Sequence, residues 1–189
     1  MNRNKLIIIL SLIGIVLGTL SCFKPNNCVT VTVDRISTEE PEVASYIVTV
    51  WYNVRIHNHC IDTVRHYYRN NKQITVQMIP ERRTTVFVSS DIYLVYKNDT
   101  IYSGNWDTKP STRDKEFIIA PNQNRLIHFS PCSWIVRELY ETKYLNNFNT
   151  RKDFWLDIVK HGVLHIVVDG KTHKVENREL SLEYASEGG

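Results

Sequence analysis

Tyr46-Ile47-Val48-Thr49-Val50-Trp51-Tyr52-Asn53-Val54-Arg55-Ile56-His57 decides the fold class. Tyr46, Val48, Val50, Tyr52, Val54 and Ile56 fall on one side of a two-residue period. Thr49, Asn53, Arg55 and His57 share the other side with Ile47 and Trp51. Side chains alternate across a strand, so this pattern predicts a long, half-buried β-strand. Val29-Thr30-Val31-Thr32-Val33 repeats the alternation upstream. Downstream, strands are expected at 73–79, 85–88, 92–96, 100–103, 117–120 and 126–129. Asn98-Asp99 would turn a hairpin, and Pro121-Asn122-Gln123-Asn124 would join another pair. Asp169-Gly170 separates two further runs, and Asp-Gly suits the left-handed angles of a type I′ turn. Leu180, Leu182 and Tyr184 mark a last strand.

The period changes between Ser130 and His161. Ser130-Pro131 reads as an N-cap followed by proline at the first helical position, and Ile135, Leu139 and Tyr140 continue an apolar face. A second helix opens at Thr150 with Asp153 in the capping-box position. It carries Phe154, Trp155, Ile158 and Val159 on one side and stops at Gly162. Strands, then helices, then strands predict a mainly β protein: an Ig-like antiparallel sandwich with a helical hairpin inserted at about 131–161. The same order also fits an α+β fold with the helices packed on one sheet face.

The 189 residues suffice for one ordinary domain with an appendage. With 42% apolar and 23% charged residues the chain can bury a core, which excludes wholesale disorder. Net charge is +3, and Arg3 and Lys5 are the only charges in the first 21 residues, so the remainder carries +1. That is no electrostatic footprint for nucleic acid.

Arg3 and Lys5 precede an apolar run from Leu6 to Leu20, which Ser21 closes. A charged start, an apolar centre and a small-residue exit make a secretory signal over 1–21. As a helix the run reaches roughly 22 Å, short of the ~30 Å hydrocarbon core. Thr19-Leu20-Ser21-Cys22 resembles the lipobox of bacterial lipoproteins, with a small residue before the cysteine and Thr19 where the usual leucine stands. The resemblance covers only these first 22 residues. It implies lipidation of Cys22, which would become the mature N-terminus, and a domain held at the outer or inner membrane, in the periplasm or at the cell surface. Residues 22–44 then read as a tether and first strand, and 45–186 as the sandwich domain with its helical insert.

Cys28, Cys60 and Cys132 remain if Cys22 is lipidated, which allows one disulfide and a free thiol. Cys60 with Cys28 or with Cys132 would join strand ends, and spacing does not choose between them. His57-Asn58-His59-Cys60, with His66 beyond, collects metal-ligand residue types. It matches no strong zinc signature, so a polar strand end is the expectation and no metal or cofactor is assigned. There is no nucleophile elbow, zinc-protease motif or phosphate loop, and hence no catalytic residue to name. Asp153 and Asp157 share a helical face as ordinary surface charge.

Arg65, Tyr67, Tyr68 and Arg69 form a basic-aromatic stretch that reads as a loop facing a partner, since Tyr and Arg are favoured at interfaces. Trp106, in a Ser-Gly-Asn-Trp-Asp loop, is the other candidate contact. Asn98-Asp99-Thr100 is an N-glycosylation sequon, while Asp62-Thr63-Val64 and Asp99-Thr100-Ile101 are similar to acceptors of bacterial O-glycosylation. The expectation is a membrane-anchored envelope lipoprotein acting as a non-catalytic binding or assembly module, with a protein or glycan partner and no nucleic acid. An enzyme acting on envelope polymers and a protective inhibitor or immunity lipoprotein are the alternatives.

Overall fold

The computed structural model describes residues 28–38, 50–69, 71–79, 82–103, 115–176 and 182–184. Residues 1–27, and with them Cys22 and the segment expected to be a secretory signal, lie outside it, as do Tyr46, Val48 and Trp106.

β2 (Val50–Asn58) behaves as its alternation requires: Val50, Tyr52, Val54, Ile56 and Asn58 are buried, and the residues between them face outward. It pairs antiparallel with β1 (Val29–Thr38) on one side and β8 (Asn124–Phe129) on the other. β11 (Leu182–Tyr184) adds to β1 in parallel, completing a four-stranded sheet. The second sheet has the order β4-β5-β9-β3-β7, built from β3 (Val64–Tyr68), β4 (Lys72–Ile79), β5 (Arg82–Tyr96), β7 (Lys115–Ile119) and β9 (Val163–Val168). β6 (Asp99–Ser103) pairs with β5, and β10 (Lys171–Glu176) with β9. Tyr52, Val54, Ile56 and Phe129 of the first sheet share one core with Ile92, Leu94, Ile119, Leu164 and Ile166 of the second. The protein is mainly β, with two sheets packed face to face as a sandwich.

Three local expectations differ from what forms. The segments read as two strands at 85–88 and 92–96 are one 15-residue strand, β5. Ser89, Ser90 and Asp91 look like a break, but Asp91 is buried, ion-paired to Arg69 at 2.8 Å, and its amide donates to Ser89 Oγ. With those polar groups satisfied, the strand continues through an irregularity in its pairing with β6. The β5–β6 turn falls on Lys97 and Asn98, with Lys97 taking the positive φ (53°). The runs around Pro121 do not form a hairpin: β7 pairs with β3, β8 pairs with β2, and the turn carries the chain between sheets. Asn58, fully buried, latches that crossing by donating from Nδ2 to the carbonyls of Ile119 and Asp62, and its backbone bonds Asn122 and Gln123.

The first helix, α1 (Ser133–Leu139), starts later than Ser130-Pro131 predicts. Pro131 bridges Ser103 and the Cys132 amide donates to the Tyr102 carbonyl, so sheet pairing holds the chain extended for two more residues. A π-helical stretch, Tyr140–Tyr144, and a 3-10 turn, Leu145–Asn147, follow. α2 (Arg151–His161) has the predicted reciprocal box: Thr150 Oγ1 accepts from the Asp153 amide, and the Asp153 carboxylate accepts from the Thr150 amide. Phe154, Trp155, Ile158 and Val159 are its buried face and join the sandwich core. α1 instead covers the β4–β5 ribbon, where Trp134 and Ile135 pack on Val76, Val86 and Val88.

Gly162 ends α2 with extended backbone (φ −71°), so handedness does not explain the residue. A Cβ there would lie 2.5 Å from the Ile158 carbonyl oxygen and 2.8 Å from Leu94 Cδ2, and only glycine permits that approach. Asp169 and Gly170 both take positive φ (52° and 75°), the type I′ pattern expected of the β9–β10 hairpin.

Candidate binding cleft

Of the residues singled out from the sequence, the structure separates most. Arg65 and Tyr67 point outward from β3, which is a strand and not a loop, and both bond Glu116 of β7 (2.6 and 3.0 Å). Arg69 is committed to Asp91 through two hydrogen bonds (2.9 and 2.8 Å). Tyr68 points the other way, and its hydroxyl meets Ser103 Oγ at 2.7 Å. Pairing with β7 turns the stretch into alternating faces, so it makes no continuous contact surface. Asp153 caps its helix, while Asp157 accepts from the Tyr96 hydroxyl and faces His161 at 3.4 Å. The two carboxylates therefore serve separate structural contacts.

Cys60 is bonded to Cys28, and their Cα atoms are 4.9 Å apart. Strand pairing brings them together: Val29 lies opposite Asn58, and the His59 amide donates to the Cys28 carbonyl (2.7 Å). Cys132 is a free, buried thiol whose pKa burial pushes up. The His57 and His59 rings lie 3.8 Å apart, and His57 Nδ1 meets Asn124 Oδ1. His66, by contrast, is fully buried on the inner face of β3. Among the described residues no three of His, Cys, Asp and Glu converge as a metal site.

A cleft of about 380 Å³ opens where β8 of one sheet and β3 and β7 of the other diverge. That lies within the ~300–1,000 Å³ usual for small-molecule sites. Its apolar lining includes Trp51, Ile92, Phe117, Leu126 and Ile127, and among the described residues none that line it is acidic. Arg125 lies opposite Ile56 in the pairing register and so shares the inner face of β8 with Ile127 and Phe129; its guanidinium sits 5.1 Å from the Phe117 ring centroid. Phe117 is stacked against its cross-strand neighbour His66, with centroids 5.7 Å apart and planes 16° from parallel. Arg55, Arg65, Arg69, Arg137 and Arg151 all have carboxylate partners; Arg125 has no ion pair among the described residues.

His66 is the chemically distinctive group. Its Nδ1 lies 2.9 Å from the Val167 carbonyl oxygen, an acceptor, so Nδ1 carries the proton and donates. Burial holds the imidazole pKa below its ordinary value, against weaker opposing effects from that carbonyl and from Asp91. The ring is therefore neutral near pH 7 and its Nε2 is an acceptor. That atom is buried without a hydrogen-bond partner among the described residues, a deficit of about 1–3 kcal/mol. The basic-aromatic stretch that holds His66 gives no hint of this, because Val167, Phe117 and Arg125 come from three other strands.

Acid sensitivity follows. Burial is the main cause that lowers the pKa of His66, His165 and His173, with Lys174 and Lys171 adding to the effect on the last two. The unfolded chain then takes up protons first, near the ordinary value of 6.5. Stability is full above that pH and falls as pH drops through it. Urea unfolding should show a lower midpoint at pH 5.5 than at pH 7.5, and an unchanged or higher midpoint would contradict these environments.

No protein-family model matches the sequence, and no curated protein matches it.

Proposed function

We propose that the chain is a cell-envelope lipoprotein, anchored through lipid on Cys22, whose sandwich is a non-catalytic binding module with the cleft as its binding site. The observation that carries this is the Cys28–Cys60 bond in a chain that begins with an export signal. Disulfides persist in oxidising compartments, so the bond fits an exported domain. It also lies close in sequence to the proposed anchor. Five residues lie between Cys22 and Cys28, so the two are at most roughly 20 Å apart along extended chain. The Cys28–Cys60 end of β2 would then lie near the bilayer. The cleft runs along β8 from Arg125, opposite Ile56 near that end, to Trp51, His128 and Ser130 at the other end of β2 and β8, about 20 Å further along the strands. Among the described residues no helix is long and apolar enough to cross a membrane.

The test is the intact mass of the protein from its native membrane fraction, with and without reduction. The expected species starts at Cys22 and carries diacylglycerol and acyl chains, and Cys22→Ala should shift the protein to the soluble fraction. A soluble wild-type species with an unmodified Cys22 thiol sinks the anchor.

A further inference from the structure

The chemistry of the cleft narrows what it holds, and we propose that its ligand is a small carboxylate with a flat or apolar body and a hydrogen-bond donor at its far end. This rests on reading the cleft as the binding site and is independent of the lipid anchor. Three observations set the class. Among the described residues Arg125 is a cation at the rim with no ion pair, and those lining the cleft include no acidic side chain to repel an anion. Guanidinium groups bind carboxylates in a two-pronged geometry, which fixes orientation as well as charge. Phe117, with Ile92 and Ile127, offers apolar surface for the body of the ligand.

His66 sets the other end. It is fully buried, it lines the cleft, and its Nε2 is an acceptor with no partner among the described residues. Only a ligand O–H or N–H satisfies that atom; a second acceptor there would leave two lone pairs facing each other. Arg125 and His66 both sit against Phe117, at 5.1 and 5.7 Å from its centroid, so the two polar positions lie within one aromatic ligand's length. The site therefore rejects cations, and it rejects carboxylates whose far end lacks a donor.

The probes are 4-hydroxybenzoate, benzoate and 4-hydroxybenzamide, titrated calorimetrically into the purified full chain at pH 7.5. The acid with the hydroxyl should bind best, and benzoate, lacking the donor, at least about tenfold more weakly. The uncharged amide should lose a similar factor. Arg125→Gln should weaken 4-hydroxybenzoate about tenfold and leave the amide unchanged. His66→Phe should bring 4-hydroxybenzoate and benzoate to equal affinity. If that buried substitution prevents folding, the wild-type comparison of the two acids still decides the donor requirement. Equal binding of acid and amide, or no effect of Arg125→Gln, overturns the anion assignment while leaving the cleft a binding site. No heat with any probe overturns the proposal itself. None of these results bears on Cys22, which the mass measurement decides separately.

Discussion

Cys60→Ser is expected to lower the unfolding free energy by roughly 3.5 kcal/mol. Cys28 and Cys60 are 32 residues apart in sequence, and a cross-link over a loop of that length removes about this much conformational freedom from the unfolded chain. Native backbone contacts already bring the two sites together, since the His59 amide reaches the Cys28 carbonyl without help from sulfur. The effect should thus appear in the unfolded state, with the folded strands keeping their register. Urea unfolding followed by tryptophan fluorescence checks it: Cys60→Ser and the reduced wild type should share one midpoint, well below that of the oxidised protein. Coincidence of all three curves would mean that the bond does not staple the fold.

Phe154→Ala should cost about 3–5 kcal/mol, the range for deleting a buried aromatic ring. The upper half of that range is expected here, because Phe154 is fully buried and its ring meets Tyr96, Tyr140, Tyr144 and Phe148 at centroid distances of 5.1 to 5.7 Å. Four rings held around one centre cannot collapse into the void without losing their own contacts. Phe154→Leu keeps most of the volume and should cost less than half as much. For a domain stabilised by about 5–15 kcal/mol, the alanine variant is close to the edge of folding. The comparison of midpoints for the two variants is the measurement, and an alanine cost below about 1.5 kcal/mol would detach the helical insert from the core.

What could be read from the sequence was local. The alternation of Val50 to Ile56 needs only a two-residue period, the Thr150/Asp153 box only three residues, and the Asp169-Gly170 turn only two. Each device is satisfied by its own neighbours, so tertiary context did not overrule it. Errors arose where a distant partner decides. Pro121 looks like a hairpin turn until Asn58, more than sixty residues earlier, claims the crossing through the Ile119 carbonyl. Ser89 to Asp91 look like a loop until Arg69 neutralises Asp91. The cleft belongs to this second kind. Arg125, Phe117 and His66 come from β8, β7 and β3, and each is unremarkable in its own stretch of chain. Tyr68 alone among the basic-aromatic residues lines it, while Arg65, Tyr67 and Arg69 are engaged elsewhere in the second sheet.

If the chain is tethered as proposed, the Cys28–Cys60 bond takes on a mechanical meaning. Tension on the N-terminal segment arrives at residue 28, where the path divides between the backbone of β1 and the sulfur bridge to the end of β2. β2 is flanked on both sides, by β1 and β8, and buries every second residue. Load passed into it is resisted by two ladders at once. With the bridge cut, the same pull would fall on the Val29–Asn58 pair, then on Thr30–His57, opening β1 like a zipper from its tethered end.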